Sequence, residues 1–401
     1  MENRLLHTPE GVRDIYNSEC ERKQVLQGRL FDVLKQYGYQ AIETPTFEYF
    51  DVFSREVGTT ASKELFKFFD REGNTLVMRP DFTPSIARSA AKYYQDEDMP
   101  IRFGYMGNTY INHHSLQGRL KETTQLGAEL IGDDSVGADA EIVALMIRCL
   151  KTAGLKEFQV SIGHIDFFNG LMEEAKLEED VELELRELIS NKNHFGIEEL
   201  LAEHNIPEDV KTCLGKTPEF FGSISMLEEA KKLAGNKKSK AALERLEAVY
   251  EALKVYGVED YITFDLGMVS KYKYYTGVIF KAYTYGVGEA LITGGRYDSL
   301  LKHFGKDSAA IGCVLLVNQL MAALSRQKIE IPTMKDMILC VYEDDSEADA
   351  VKYAEKLRSE EGKKVALLRR NGKDLADCKA YGERHGFSQV LHLGQNGCEK
   401  L

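Results

Sequence analysis

Between residues 167 and 257 the chain changes character, becoming rich in Glu, Lys, Leu and Ala with apolar residues at helical spacing, as in 240–256. Strand-like segments lie on both sides of this block. Before it, 76–79, 102–110, 123–131 and 159–163 alternate with helical stretches at 83–93 and 137–153; after it come 262–266, 274–283 and 289–293. A sheet whose strands resume after a helical block is discontinuous in sequence. Residues 1–166 and 258–330 therefore read as one sheet-and-helix core, and 167–257 as an inserted helical subdomain.

Two further regions are legible locally. Ser18 to Glu21 is a capping-box pattern, and Val25, Leu26, Leu30, Phe31, Val33 and Leu34 follow at helical spacing until Gly38, which predicts a helix over 18–37. The β-prone stretch 39–45 comes next, and Pro45 confines it to a sheet edge or an interface. After 331–333 the order strand (337–342), helix (347–361), strand (364–368), helix (374–385), strand (390–393) predicts a small parallel α/β domain over 334–401, suited to binding a partner.

At 401 residues and 43% hydrophobic content the chain buries a full core. No charged lead runs into an apolar stretch, and nothing approaches the roughly 18 uncharged apolar residues of a spanning helix, so a soluble cytoplasmic protein without a membrane partner is expected. Seven cysteines at 20, 149, 213, 313, 340, 378 and 398 form no C-x-x-C, which fits reduced structural thiols and no zinc site. A net charge of -13 disfavours non-specific contact with nucleic acid.

Generic catalytic motifs fail: there is no Walker loop, H-E-x-x-H or G-x-S-x-G. The adjacent His113 and His114 read as loop residues rather than metal ligands. More informative is 123–131, where a two-residue period puts Thr123, Gln125, Gly127 and Glu129 on one face and Leu126, Ala128 and Leu130 on the other. The apolar face packs. The polar one is either solvated or lines a pocket.

Residues 102–132, with Tyr105-Met106-Gly107 and Gln125-Leu126-Gly127-Ala128-Glu129, resemble the motif 2 strand-loop-strand of histidyl-tRNA synthetases, a class II family. Arg79-Pro80-Asp81-Phe82-Thr83, Tyr274-Tyr275-Thr276-Gly277 and Gly294-Gly295-Arg296-Tyr297-Asp298 resemble three more of its motifs, in order, so the resemblance spans roughly 1–330. It implies an α+β fold of class II type: a mixed, mostly antiparallel sheet flanked by helices. It also implies a histidine pocket of Asp81, Thr83, Gln125, Glu129, Tyr275 and Tyr297, with either Tyr274 or Tyr275 entering according to the local strand register. Carboxylate and amide acceptors suit an ammonium, while Glu and Tyr fix an imidazole tautomer.

The departures are equally specific. Three arginines that the family uses in adenylation align with Ile111, Ser270 and Gln319. Each charge-assisted bond contributes roughly 1.5 to 3 kcal/mol, so losing three removes about 5 to 9 kcal/mol if they add. With 270–275 as a strand, Lys271 and Lys273 point away from Ser270 and lack the guanidinium fork. The tail is shorter than the family's usual anticodon-binding domain and carries no basic excess.

A core of this kind without its arginines resembles the regulatory subunits of ATP phosphoribosyltransferase, the first enzyme of histidine biosynthesis. The resemblance implies a non-catalytic chain without a cofactor or bound nucleic acid. It implies a homodimer within a hetero-oligomer, a short-form catalytic subunit as partner, and L-histidine as feedback effector. The alternatives are a divergent histidyl-tRNA synthetase and a pseudo-synthetase that senses tRNA.

Overall fold

The structure is a computed structural model that describes residues 4–53, 60–113, 119–269, 274–333, 336–394 and 397–401. It divides into two compact units, Met1–Ile331 and Pro332–Leu401. In chain order the first unit carries α1 (Asn17–Gln36), β1 (Gln40–Ala41), β2 (Phe47–Tyr49), β3 (Lys67–Phe69), β4 (Thr75–Met78), α2 (Thr83–Tyr93), β5 (Ile101–Tyr110), β6 (Glu122–Ile131), α3 (Val136–Thr152) and β7 (Gln159–His164). The helices α4 (Ile165–Ala175), α5 (Glu179–Ser190), α6 (His194–Glu203), α7 (Glu208–Lys216), α8 (Ser225–Leu233) and α9 (Lys237–Val255) follow, with the short β8 (Phe221–Gly222) among them. Then come β9 (Ile262–Asp265), β10 (Val278–Tyr283), β11 (Ile292–Arg296), β12 (Ala310–Leu316) and α10 (Val317–Arg326).

One nine-stranded sheet, in the order β1-β5-β6-β12-β11-β10-β7-β9-β8, joins strands from before and after the helices. Its neighbours are antiparallel except for the parallel β1–β5 and β7–β9 pairs. This is the mixed α+β, class II-like architecture. β6 is central, laddered to β5 from Ile101↔Ile131 to Tyr110↔Glu122 and to β12 from Ala310↔Ile131 to Leu316↔Gln125. On one face Leu126, Ala128 and Leu130 pack with Leu26, Leu30 and Leu34 of α1 and the apolar side of α3. On the other, Phe82 and Ile86 of the α2 region pack with Phe103, Tyr105 and Tyr297.

Local chemistry explains several boundaries. Gly38 ends α1 with φ +82, donating to Lys35 O at 2.9 Å, while Tyr39 N–H reaches Leu34 O at 3.1 Å. The capping box does not form: α1 begins one residue earlier, at Asn17, without a side-chain cap, so Ser18 and Glu21 both lie inside the helix. The strand expected at 289–293 runs over Ile292–Arg296, where its ladders to β10 and β12 continue through Gly294 and Gly295, both lying under aromatic rings. A Cβ on them would fall 2.4 Å from Phe280 Cζ and 2.7 Å from Tyr275 Cε1. The strand expected from 274 begins at Val278. The strand expected at 76–79 is β4, which pairs with β2 and β3 in a separate three-stranded sheet; β2, β3, β8, β12 and the helix α10 had no counterpart in the local signals.

In the helical segment, α9 packs on α4 and α3 through Ala242, Leu243, Leu246, Val249 and Leu253, all buried. The second unit contains β13 (Met337–Tyr342), α11 (Glu347–Glu360), β14 (Lys364–Arg369), α12 (Leu375–Arg384), β15 (Gln389–Gly394) and β16 (Gly397–Lys400). Its sheet, ordered β14-β13-β15-β16, is parallel except for β16, an antiparallel edge strand that the sequence pattern had not indicated. All seven cysteines are free thiols. Among the described residues no helix is long and apolar enough to cross a membrane.

Candidate functional site

The polar side of β6 faces α2, and Glu129 sits there at 1% exposure. Its Oε1 accepts from Thr83 Oγ1 at 2.9 Å, and its Oε2 from the Tyr297 hydroxyl at 2.5 Å. Thr83 opens α2, and its N–H donates to Asp81 Oδ1 at 3.3 Å, so the 79–83 turn and β6 share one polar cluster. The rings of Tyr274 and Tyr275 lie 4.2 Å apart, and Tyr274 lies 6.2 Å from Tyr297. Neither tyrosine is in a strand, so the expected alternation of faces does not apply and both border the cluster. Asp81, Thr83, Glu129, Tyr274, Tyr275 and Tyr297 are thus brought together; Gln125 stands two strand positions along the same face from Gly127, four from Glu129.

Burial holds the Glu129 carboxyl up at about 8 against the donated bonds of Tyr297 and Thr83, and the nearby charge of Asp81 adds to the rise. Burial likewise raises the Tyr297 and Tyr274 hydroxyls well above their usual range. With no cation paired to it among the described residues, this buried carboxyl is kept largely protonated at neutral pH. An ammonium or imidazolium placed against it supplies the missing charge. The Gln125 Oε1 is buried without a hydrogen-bond partner among the described residues, an acceptor already in place for a ligand donor.

The arginines of the matched motifs do different work. Arg79 donates to the backbone oxygens of Thr44 (2.7 Å), Pro45 (3.2 Å) and Asn108 (2.9 Å) and stacks 4.0 Å from the Phe82 ring centroid. Arg296 is bound to the buried Asp139 through Nε (2.9 Å) and Nη2 (2.7 Å). Both are structural ties.

Beyond Gln125 opens a cavity of about 630 Å³, and Ile111 and Gln319, two of the three residues that the resemblance aligns with arginines, line it. Gln319 Nε2 donates to Glu289 Oε2 at 2.7 Å. The cations at this cavity have other partners: Arg13 pairs with Glu19, Arg119 lies 3.7 Å from Glu289, and Lys23 donates to Thr124 Oγ1 at 2.7 Å. Ser270, Lys271, Lys273 and His114 lie outside the described residues, while His113 lines the cavity. No group of three metal-ligating side chains occurs among the described residues.

Sequence reasoning missed Gly312, whose role depends on a partner strand. It sits opposite Glu129 in the β12–β6 ladder, and a Cβ there would fall 1.6 Å from Glu129 Oε2. Gly127 similarly clears Tyr105, whose Cζ lies 2.1 Å from where a Cβ would stand.

Residues 11–320 match the family model for histidyl-tRNA synthetase. An ATP phosphoribosyltransferase regulatory subunit of Acetivibrio thermocellus is 40% identical over 388 residues, covering 97% of this chain and 92% of that one. The chain belongs to the ATP phosphoribosyltransferase regulatory subunit family. A regulatory subunit of Ruminiclostridium cellulolyticum is 38% identical over 394 residues, covering 98% of this chain and 93% of the other. The crystal structure of an ATP phosphoribosyltransferase regulatory subunit/histidyl-tRNA synthetase from Bacillus halodurans superposes with a TM-score of 0.86 at 34% identity, covering 97% of this chain and 98% of that one. Histidyl-tRNA synthetase from Nostoc shares the fold at 19% identity, with a TM-score of 0.81 over 98% of this chain and 92% of that one. The family model stops at 320, whereas these regulatory-subunit relatives extend through the tail.

Proposed function

We propose that the chain is a non-catalytic regulatory subunit that assembles with a short-form catalytic subunit of ATP phosphoribosyltransferase, switches on its activity and carries histidine feedback. The observation that carries this reading is a split within one site. The polar cluster around Glu129 is built and shielded, whereas the adjoining cavity presents Ile111 and Gln319 where adenylation needs guanidinium groups. Such a site suits an amino acid and lacks, at 111 and 319, the guanidinium groups that would clamp a polyphosphate.

Histidine is the effector in this reading, held through Asp81, Thr83, Gln125, Glu129, Tyr274, Tyr275 and Tyr297. Its imidazole or ammonium replaces the proton on Glu129, and its α-carboxylate has lost the arginine partners at 111 and 270. Weaker binding than in a synthetase suits a sensor of a free amino-acid pool. Feedback further requires that histidine bind one state of the assembly more tightly, since equal affinity shifts nothing. The subunit pairs as a homodimer through α1 and the 39–45 edge within the hetero-oligomer, acts in the cytoplasm, and needs neither cofactor nor tRNA.

Co-expression with a short-form phosphoribosyltransferase subunit tests the assembly. The two chains are expected to co-elute, and phosphoribosyl transfer to appear or rise in their mixture. The chain alone is expected to give no histidine-dependent exchange of pyrophosphate into ATP. Robust exchange by the wild-type chain, or a catalytic subunit indifferent to its presence, refutes the reading.

A further inference from the structure

We propose that the helical segment sets the geometry of the Glu129 pocket through one buried carboxylate, Asp139, with Arg245 as the positioning residue. Asp139 lies in the first turn of α3 at 0% exposure and is gripped by two guanidinium groups from different elements. Its Oδ1 takes Nε and Nη2 of Arg296, and its Oδ2 takes Nε of Arg245 at 2.7 Å and Nη2 at 2.6 Å. Arg245 belongs to α9, in the helical segment, and also donates to Asp134 O at 2.7 Å. Arg296 ends β11, one residue before the tyrosine whose hydroxyl sits on Glu129.

The stretch from 296 to 298 is pinned tightly enough to transmit a displacement. Thr276 N–H donates to Arg296 O at 2.8 Å and Tyr297 N–H to Ala310 O at 2.8 Å. Asp298 Oδ1 accepts from Ala310 N–H at 3.0 Å and from Arg296 Nη1 at 3.2 Å. Charge-assisted bonds therefore run from Arg245 through Asp139 to Arg296, and backbone rigidity carries them to Tyr297 and Glu129. Beside this chain of bonds a cavity of about 290 Å³ separates Lys238 and Arg245 of α9 from Thr276, Arg296 and Asp298. That junction is not packed solid, so the ionic tie, rather than apolar contact, governs the relation of α9 to β11 at this point. A shift of α9 reaches Asp139 directly, and the Tyr297 hydroxyl moves with it.

The inference rests on the reading of the pocket as a histidine site, and its test has one arm that does not. Arg245→Met keeps the side-chain stem and removes the charge; Arg245→Lys keeps the charge without the fork. In calorimetric titration of the full chain or its complex, Arg245→Met is expected to weaken histidine binding about 5-fold, within the roughly 2- to 30-fold range of network mutations, with Arg245→Lys in between. In a Tyr297→Phe background the same substitution should have little further effect, because the hydroxyl it positions is gone. Equal losses in both backgrounds, or no loss in either, overturn the proposal. The independent arm is hydrogen exchange: amides of 292–298 should exchange faster in Arg245→Met while those of 101–110 stay unchanged. Unchanged exchange at 292–298, or uniform acceleration everywhere, overturns the tie even if the wild-type chain binds no histidine, an outcome that would sink the pocket reading alone.

Discussion

Replacing Glu129 by glutamine isolates the electrostatics of the pocket. The carboxyl sits at about 8 in the folded chain because burial strips its hydration, against about 4.5 when exposed. Between these two values the native state holds a proton that the unfolded state has lost, so by linkage the native state binds more protons and stability falls as pH rises. Below about 4.5 both states are protonated and nothing is lost; above about 8 the loss is complete. At about 1.4 kcal/mol per pKa unit, the full effect is about 3 to 5 kcal/mol. The glutamine side chain is neutral throughout and of nearly the same shape. It still meets Thr83 and Tyr297 after their hydroxyls rotate, at the expense of about 1 kcal/mol or less. Urea denaturation of wild type and Glu129→Gln, followed by tyrosine fluorescence across pH 5 to 9, should give similar stabilities at pH 5 and a variant more stable by about 3 kcal/mol at pH 9. Titrating groups remote from the pocket are common to both proteins and cancel in the difference. Two curves that stay parallel across this range would refute the claim that burial of Glu129 dominates the pocket.

The ligand side of the same argument predicts that wild-type affinity for histidine rises from pH 6 to pH 8, because binding a cationic group against Glu129 releases its proton to solvent; a flat calorimetric profile counts against that charge exchange. Glu129→Ala should weaken histidine binding by about 10- to 100-fold, corresponding to the loss of a charged hydrogen-bonding partner, and desensitise the assembled transferase while leaving co-elution intact; unchanged inhibition curves would place the sensor elsewhere. Gly312→Ala forces a methyl group onto Glu129 Oε2 and should destabilise the core by about 1 to 3 kcal/mol and abolish histidine binding, as read by denaturation and titration. Homodimer formation through α1 and the 39–45 edge predicts a dimeric species in sedimentation at micromolar concentration, with a persistent monomer as the contrary result.

Most of the architecture was legible in the sequence because it is written in local periodicity. The helical face of Leu26, Leu30 and Leu34, the alternation along Glu122–Ile131 and the strand-helix order of the tail each require only neighbouring residues, and each maps onto an observed element. The resemblance to histidyl-tRNA synthetases singled out positions 111 and 319, and residue type then shows that Ile111 and Gln319 carry no charge, since no packing turns either into a guanidinium. What local pattern missed were features defined by a distant partner. The strand expected to end at 293 runs on through Gly294 and Gly295, whose missing side chains leave room for Phe280 and Tyr275. Gly312 has no meaning until β12 is paired with β6 and the Glu129 carboxylate fills the space of its absent side chain. Arg296 belongs to a recognisable motif, yet only the fold reveals that its charge is committed to Asp139, 157 residues away in the chain, and so is withheld from the pocket. Side-chain identity is a local property that the sequence states outright. Burial, charge pairing and steric clearance depend on which remote segments the fold brings within a few ångströms, and those only the tertiary structure decides.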